Sequence, residues 1–396
     1  MLHLIRRGGF VSAGRFFRFQ HSAPRILPDV QFDDMVIESA TTLKEKLPNK
    51  DLKFGATFTD HMLEIDWDSK NGWHAPKISP YHNFEMNPAC SALHYSLQCF
   101  EGLKAYYDPK LDKIRMFRPM ENMKRMNVSC ERLHFPSFDH EQVMQCIKQL
   151  IRMERDWVPK GSGYSLYIRP AVISTHPFIG VAPAESVKFF TILSPVGPYY
   201  PSGFSPITLY ADDKYVRAWP GGVGFAKIGG NYAPTIRPAL EAAELGFSQI
   251  LWLFGPDHYV TEVGTMNQFF FWKRKDGRRE LITAPLDGTI LAGVTRKSIL
   301  EMSREWGEFE VTERPFTIHE VIEAVDDGRL IEAFGAGTAA VVSPVNGFHY
   351  RGKDYKIPLN PEKPSEQAGP LTQRIWDTME AIHYGATPHE WSELIE

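Results

Sequence analysis

The sequence predicts an α+β chain of two domains, and three observations carry that expectation. The chain has 396 residues, long for one compact core and comfortable for two. Strand-like runs lie between scattered helical patterns without strict alternation, which disfavours a regular doubly wound sheet. The stretch Pro198-Tyr199-Tyr200-Pro201-Ser202-Gly203-Phe204-Ser205-Pro206 separates two such runs, and Pro and Gly at that density mark a linker. The expected division is residues 1–28, an N-terminal domain over 29–200, a linker over 201–206 and a C-terminal domain over 207–396.

Composition removes several classes. Hydrophobic residues make up 43% and charged residues 23%, close to the soluble average, which excludes a disordered chain, a collagen-like fibre and an extended coiled coil. No window approaches eighteen consecutive apolar residues, so no membrane span is expected. A net charge of −4 opposes nucleic-acid binding, which needs a basic surface. Cys90, Cys99, Cys130 and Cys146 have neither CxxC spacing nor the density of a disulfide scaffold. The expectation is a soluble intracellular protein of enzyme size.

Along the chain, residues 1–28 come first. They hold Arg6, Arg7, Arg15, Arg18 and Arg25, no lysine and no acid, with Phe10, Val11, Phe16, Phe17 and Phe19 between them. An Arg-rich, acid-free, amphipathic start is the pattern of a mitochondrial transit peptide. The alternative is a basic disordered tail. Without those five charges the rest of the chain stands at about −9.

Glu141 to Arg155 places Val143, Met144, Ile147, Leu150, Ile151 and Met153 mainly on one helical face. Lys188–Val196 and Ile207–Tyr210 read as strands on either side of the linker. Thr235 precedes a helical pattern of Ile236, Ala239, Leu240 and Ala243 that stops at Gly246. Gln249–Phe254 is a short apolar strand, and Gln268–Trp272 and Glu280–Thr283 read as strands joined through an Asp276-Gly277 turn. Thr317 and Glu320 have the spacing of a capping box.

The chemistry concentrates in four stretches. Gly221 to Tyr232 contains five glycines around Lys227. It is neither a P-loop nor a GxGxxG turn, because Ala226, Ile228 and Lys227 occupy the required positions. Glycines let backbone approach a ligand. A lysine among small and apolar neighbours is desolvated toward the neutral, nucleophilic form that a Schiff base requires. A surface turn with a solvated lysine reads the same stretch equally well. Glu262 lies between apolar strand segments; it reads either as the partner of a pyridine nitrogen or as a structural carboxylate bonded to backbone. Leu291-Ala292-Gly293-Val294-Thr295 leads into a helix, whose start binds anions. Gly335 to Ala340 interrupts two β-like runs with small residues. A desolvated lysine, an acid for a ring nitrogen and two anion loops describe a pyridoxal-phosphate pocket. The HExxH, paired Cys/His and GxSxG patterns of metal or serine hydrolases are absent.

The residues also resemble a known family. Phe54-Gly55 with Phe58 to Met62, Leu93-His94-Tyr95 with Gln98, Phe100-Glu101-Gly102 and Phe117-Arg118-Pro119 match it in order. Ser165 to Pro170, Arg217-Ala218-Trp219, Lys227 to Tyr232, Glu262 to Asn267 and Gly337-Thr338-Ala339 continue the match. From about Phe54 to its end the chain resembles the branched-chain amino acid aminotransferases of the eukaryotic, mitochondrial type. The resemblance implies a homodimer of the pyridoxal-phosphate fold type IV, like D-amino acid aminotransferase. It also implies a smaller N-terminal and a larger C-terminal domain with the cofactor between them.

By that resemblance Lys227 would carry the cofactor as a Schiff base and move the proton between Cα and C4′. Glu262 would meet the pyridine nitrogen and Tyr232 the phenolic oxygen. Arg125, the Val294 and Thr295 amides and Thr338 would hold the phosphate. The substrate carboxylate would sit near Tyr95 and the Thr338–Ala339 backbone. Phe54, Tyr95, Phe100, Tyr167, Tyr199 and Tyr232 would line the side-chain pocket, Tyr95 also from across the dimer, and Arg169 would help the glutamate carboxylate enter. The implied reaction is ping-pong transfer from L-leucine, L-isoleucine or L-valine to 2-oxoglutarate, giving branched 2-oxo acids and L-glutamate. The implied compartment is the mitochondrial matrix.

One departure stands out. Mammalian members carry a CxxC redox pair after the Gly-Thr-Ala segment, where this chain has Ala340 and Ser343; no peroxide switch of that kind is expected. The rivals are a same-fold D-amino acid aminotransferase or aminodeoxychorismate lyase, a catalytically dead relative kept as a binding partner, and a cofactor-free binding module.

Overall fold

The structure, a computed structural model, describes residues 27–198, 204–360, 362–363 and 366–395. The leading segment up to residue 26, residues 201–203 of the expected linker, and Tyr199 lie outside the described residues. The described residues form two sheets with helices against them. None of those helices is long and apolar enough to cross a membrane.

The first sheet has ten strands. Its path runs Val36–Ile37, Lys77–Pro80, His61–Asp68, Ser186–Val196, Ser165–Ser174, Leu103–Asp108, Lys113–Phe117 and Ser392–Leu394. Alternation in Ser186–Val196 sends Val187, Phe189 and Leu193 inward. Helices Pro119–Arg132 and His140–Met153 cover that face, adding Met123, Met126, Val143, Ile147 and Leu150 to the same core. The helix expected over 141–155 is thus present. Asp139 starts it by accepting the Glu141 and Gln142 amides, as an N-cap acid does. Each of its fully buried aliphatic side chains contributes about 1.5–3 kcal/mol.

The second sheet has nine strands. Tyr259–Val263, Gln249–Phe254, Ile207–Asp212, Val341–Tyr350, Leu330–Gly337 and Met266–Lys273 follow one another, and then Tyr259–Val263 pairs again with Met266–Lys273. Those six strands therefore close into a barrel, with Arg279–Thr283 and Glu310–Glu313 extending it. The closing hairpin pairs Val263 with Met266, leaving a two-residue turn, and Gly264 at φ +52° supplies the positive φ such a turn needs. The continuous apolar run Phe269-Phe270-Phe271-Trp272 serves both faces. Phe269 and Phe271 pack with Ile299, Ile375 and Met379, while Phe270 and Trp272 pack with Leu251, Phe316 and Val321. A strand buried on both sides reads as such a run.

Gln249–Phe254, the hairpin turning near Gly277 and the Thr317–Glu320 capping box all take the expected form. Helix Ile236–Glu244 forms where expected, but it buries only Pro238 and Ala242. Ile236 and Leu240 are 62% and 60% exposed, and the Thr235 hydroxyl donates back to Tyr232 O instead of capping the helix. Strand Ser392–Leu394 crosses over to pair antiparallel with Lys113–Phe117 in the first sheet.

Candidate active site

The lysine loop is anchored to the first sheet. Ala226 and Ile228 are buried in that sheet's core, Lys227 N donates to Ser129 Oγ at 2.8 Å, and Phe100 N donates to Lys227 O at 3.0 Å. Asn231 Nδ2 staples the loop by donating to the carbonyls of Val223 and Ala226, each at 2.8 Å. Gly224 serves this packing and not a ligand: a Cβ there would lie 2.5 Å from Ala218 Cβ and 2.8 Å from the Gly288 carbonyl.

The free end of the lysine is the part left for chemistry. Lys227 Nζ donates to the Tyr232 hydroxyl at 3.1 Å and lies 4.7 Å from the Phe100 ring centre. It opens into a cavity of about 260 Å³ shared by Phe54, Arg125, Tyr167, Glu262, Thr295 and Thr338.

Barrel closure positions Glu262 opposite Asn267. The carboxylate is 2% exposed. Its Oε1 accepts the Leu291 amide at 2.8 Å and Asn267 Nδ2 at 3.1 Å, and its Oε2 lies 2.9 Å from Arg217 Nε. Burial pushes its pKa up, and the Arg217 charge and the Leu291 amide oppose that rise without cancelling it.

The opposite end of the cavity is built for an anion. Helix Val294–Trp306 begins after Gly293 with no side-chain cap, leaving its first amides to whatever fills the cavity. Arg125 is 9% exposed and is gripped by Glu101, whose two oxygens accept Nε and Nη2 at 2.7 Å each. Nη1 donates to Ala292 O at 2.9 Å. Those three bonds leave guanidinium N–H groups for a further acceptor. Burial raises the Glu101 carboxyl, but Arg125 outweighs it and holds the group below its ordinary value.

The aromatic wall lies on the first sheet. Phe54 meets the Tyr167 ring edge-on at 4.7 Å, and Arg169 Nη2 donates to the Tyr167 hydroxyl at 3.0 Å. Arg169 Nε is buried with no partner among the described residues, an orphaned donor of the sort a ligand satisfies. The Thr338–Ala340 turn closes the other side.

Of the expected residues, Lys227, Tyr232, Glu262, Arg125, Val294, Thr295, Thr338, Ala339, Phe54, Phe100, Tyr167 and Arg169 line this one cavity. Tyr95 does not. It ends helix Ser91–Tyr95, is 42% exposed, and its hydroxyl donates to the Ile179 carbonyl. Glu101, Asn267 and Arg217 have no role in the reading of the sequence, although each lies inside a segment that matches the family. Ala340 and Ser343 carry no thiol, and the Ser343 hydroxyl faces Met266 Sδ at 3.6 Å.

An amine, a buried carboxylate and an uncapped helix with an arginine beside it suit an aldehyde on a phosphorylated heteroaromatic ring. The chain is similar to proteins already known. Residues 98–348 match the model of the amino-transferase class IV family. The branched-chain-amino-acid aminotransferase of Dictyostelium discoideum is 51% identical over 97% of this chain and 100% of its own length. The mitochondrial one of Rattus norvegicus is 49% identical over 88% of this chain and 87% of its own, and relatives named cytosolic match as well. Among solved structures, a branched-chain amino acid aminotransferase with pyridoxamine 5′-phosphate superposes with a TM-score of 0.66 at 25% identity, over 84% of this chain and 98% of its own. That of Escherichia coli superposes with a TM-score of 0.67 at 25% identity, over 84% of this chain and 99% of its own. The α+β expectation holds in the fold of that enzyme type, and the chain belongs to the amino-transferase class IV family, among its branched-chain-amino-acid aminotransferases.

Proposed function

We propose that the chain is a pyridoxal-phosphate-dependent transaminase that moves the amino group of L-leucine, L-isoleucine or L-valine to 2-oxoglutarate. The observation that carries this is one cavity holding the Lys227 amine against Tyr232 and, in its wall, the buried Glu262. When bound, pyridoxal phosphate supplies a sink for the electron pair left on Cα.

The chain's own groups do the rest. Lys227 Nζ is the base that takes the Cα proton and returns it at C4′. Glu262, supported by Arg217, would receive the ring N–H of the bound cofactor. The Tyr232 hydroxyl, which orients the Lys227 amine, would bond the cofactor's phenolic oxygen. Arg125, the Val294 and Thr295 amides and Thr338 hold the phosphate. The Thr338–Ala339 backbone takes the substrate carboxylate. Phe54, Phe100 and Tyr167 enclose its side chain, and the orphaned Arg169 Nε favours the second carboxylate of glutamate. Tyrosines serve both side chains, having an apolar body and a hydroxyl tip.

The assembly we infer is a homodimer, supported by exposed apolar residues Leu93, Ile179, Val181, Trp219, Ile236 and Leu240. It would return Tyr95 to a site. Residues 29–200 and 207–396 are taken as the two domains, and the Arg-rich start is taken as a mitochondrial leader.

The deciding experiment is an absorption spectrum of the purified protein before and after L-leucine, without any oxo acid. The visible cofactor band is expected to shift to that of the pyridoxamine form, and Lys227→Ala to abolish the shift. A band that ignores L-leucine and answers a D-amino acid would assign the same-fold rival. No band after adding pyridoxal phosphate would refute the enzyme.

A further inference from the structure

The sheet face that carries Tyr167 runs on into a second cavity. Lys104 stands opposite Tyr167 in the register of strands Leu103–Asp108 and Ser165–Ser174, so the two share a face. Tyr106 and Ser165 lie two positions further along their strands, on the same face. With Trp376 and His383 they line a cavity of about 120 Å³. Ala339 and Ala340 line both cavities, so the Thr338–Ala340 turn is a common wall.

Two polar groups here have no full complement among the described residues. Lys104 is 9% exposed, and its ammonium donates to one neutral acceptor, Ala339 O, at 2.7 Å. Burial alone pushes its pKa down to about 8. Ser165 Oγ is buried with no partner. His383 supplies no charge, because burial first and the Lys104 charge second push it down to about 3; its ring stacks on Tyr106 at 4.5 Å. The acid of this cavity, Glu380, is partly exposed and accepts the Ser162 hydroxyl. Phe204, Val342, Pro344 and Trp376 make the apolar part of the remaining wall, and the Ser343 and Tyr384 hydroxyls there already donate to Met266 Sδ and Tyr164 O. A buried cation with one neutral acceptor beside an unpaired hydroxyl is what an anion completes.

We propose that this second cavity binds a short aliphatic monocarboxylate. Its carboxylate pairs with the Lys104 ammonium and accepts the Ser165 hydroxyl, and its carbon chain lies against Tyr106, Val342 and Trp376. An apolar cavity of about 150 Å³ takes benzene, so this one suits a chain of about five carbons. Because Lys104 also holds Ala339 O, a bound anion changes the grip on a turn that borders the substrate cavity, and the coupling is reciprocal. The enzyme's own branched 2-oxo acids fall in this class, a point that rests on the proposed activity.

The probe is radiolabelled 3-methylbutanoate, which has neither an amino nor a 2-oxo group. Equilibrium dialysis against the holoenzyme is expected to find two molecules per chain, and one when 2-oxoglutarate saturates the active site. The retained molecule should bind at least tenfold more weakly to Lys104→Met and be lost in Ser165→Leu, whose added carbons fill the cavity. Should either variant fail to fold, crystals of the unaltered holoenzyme soaked in the probe are expected to show it against Lys104 Nζ. Complete displacement by 2-oxoglutarate, retained binding indifferent to both substitutions, or soaked crystals with nothing in the cavity would overturn the proposal. If only the proposed activity were wrong, 2-oxoglutarate would displace nothing, while both substitutions would still remove one bound probe.

Discussion

Gly102 lies so close to Tyr167 that a Cβ there would come within 2.0 Å of the phenolic oxygen. Gly102→Ala must push the ring aside and loosen its bond to Arg169. Overpacking of this kind costs about 1–3 kcal/mol, and about 1.4 kcal/mol is tenfold. The KM for L-leucine is expected to rise about tenfold in steady-state assays while the cofactor band survives; an unchanged KM would remove Tyr167 from the substrate wall. Glu101 acts one contact further away. It is fully buried, and besides Arg125 it accepts Asn122 Nδ2 at 2.8 Å. Glu101→Gln leaves a buried guanidinium without its counter-charge, a loss of about 3–5 kcal/mol. Urea unfolding should show that loss, and the cofactor should dissociate faster during dialysis; equal retention would separate Arg125 from the phosphate.

Helix Ile318–Asp326 begins with a reciprocal pair. Thr317 Oγ1 accepts the Glu320 amide at 3.2 Å, and Glu320 Oε1 accepts the Thr317 amide at 3.1 Å. Thr317→Ala is expected to lower stability by about 1 kcal/mol, read as a lower urea midpoint with an unchanged slope. That pair was legible because both partners lie within four residues, as were strand Gln249–Phe254 and the glycines around Lys227. Distant pairings were not. Nothing local announces that Tyr259–Val263 closes a barrel or that Glu101 faces Arg125 across 24 residues. The pattern at Ile236 and Leu240 marks a helix correctly but says nothing about which surface receives it. Lys104 reads as an ordinary solvated lysine until two sheets enclose it. Tyr95 was placed by family resemblance, and a single chain leaves it outside the cavity.

For the molecule as a whole, buried titratable groups set its response to acid. His383 has a folded pKa of about 3 against about 6.5 in the unfolded chain. Below 6.5 the unfolded chain takes a proton that the folded one refuses, so this stabilisation is complete above about 6.5 and drains away toward 3. Glu101 and Asp108, held low by Arg125 and Arg115 against the upward push of burial, lose theirs lower still. Glu154, Glu262 and Glu332 are raised by burial and pull the opposite way. The melting temperature is expected to fall as pH drops from 7 to 4, and His383→Phe, which keeps a ring on Tyr106, should flatten that decline. An identical slope in the variant would assign the acid response to the carboxylates.

The pairing of Ser392–Leu394 with Lys113–Phe117 also sets an order of events on the ribosome. Domains ordinarily mature from the N-terminal side during synthesis. Here the Lys113–Phe117 edge emerges early and waits for its neighbour until every strand of the barrel has been translated. An open strand edge is a template for pairing with the wrong chain. The nascent protein is therefore most exposed to aggregation after its first half is made and before its last strand arrives. A chaperone that shields that edge would matter more here than one that protects the barrel. The sheet begun first is the one finished last.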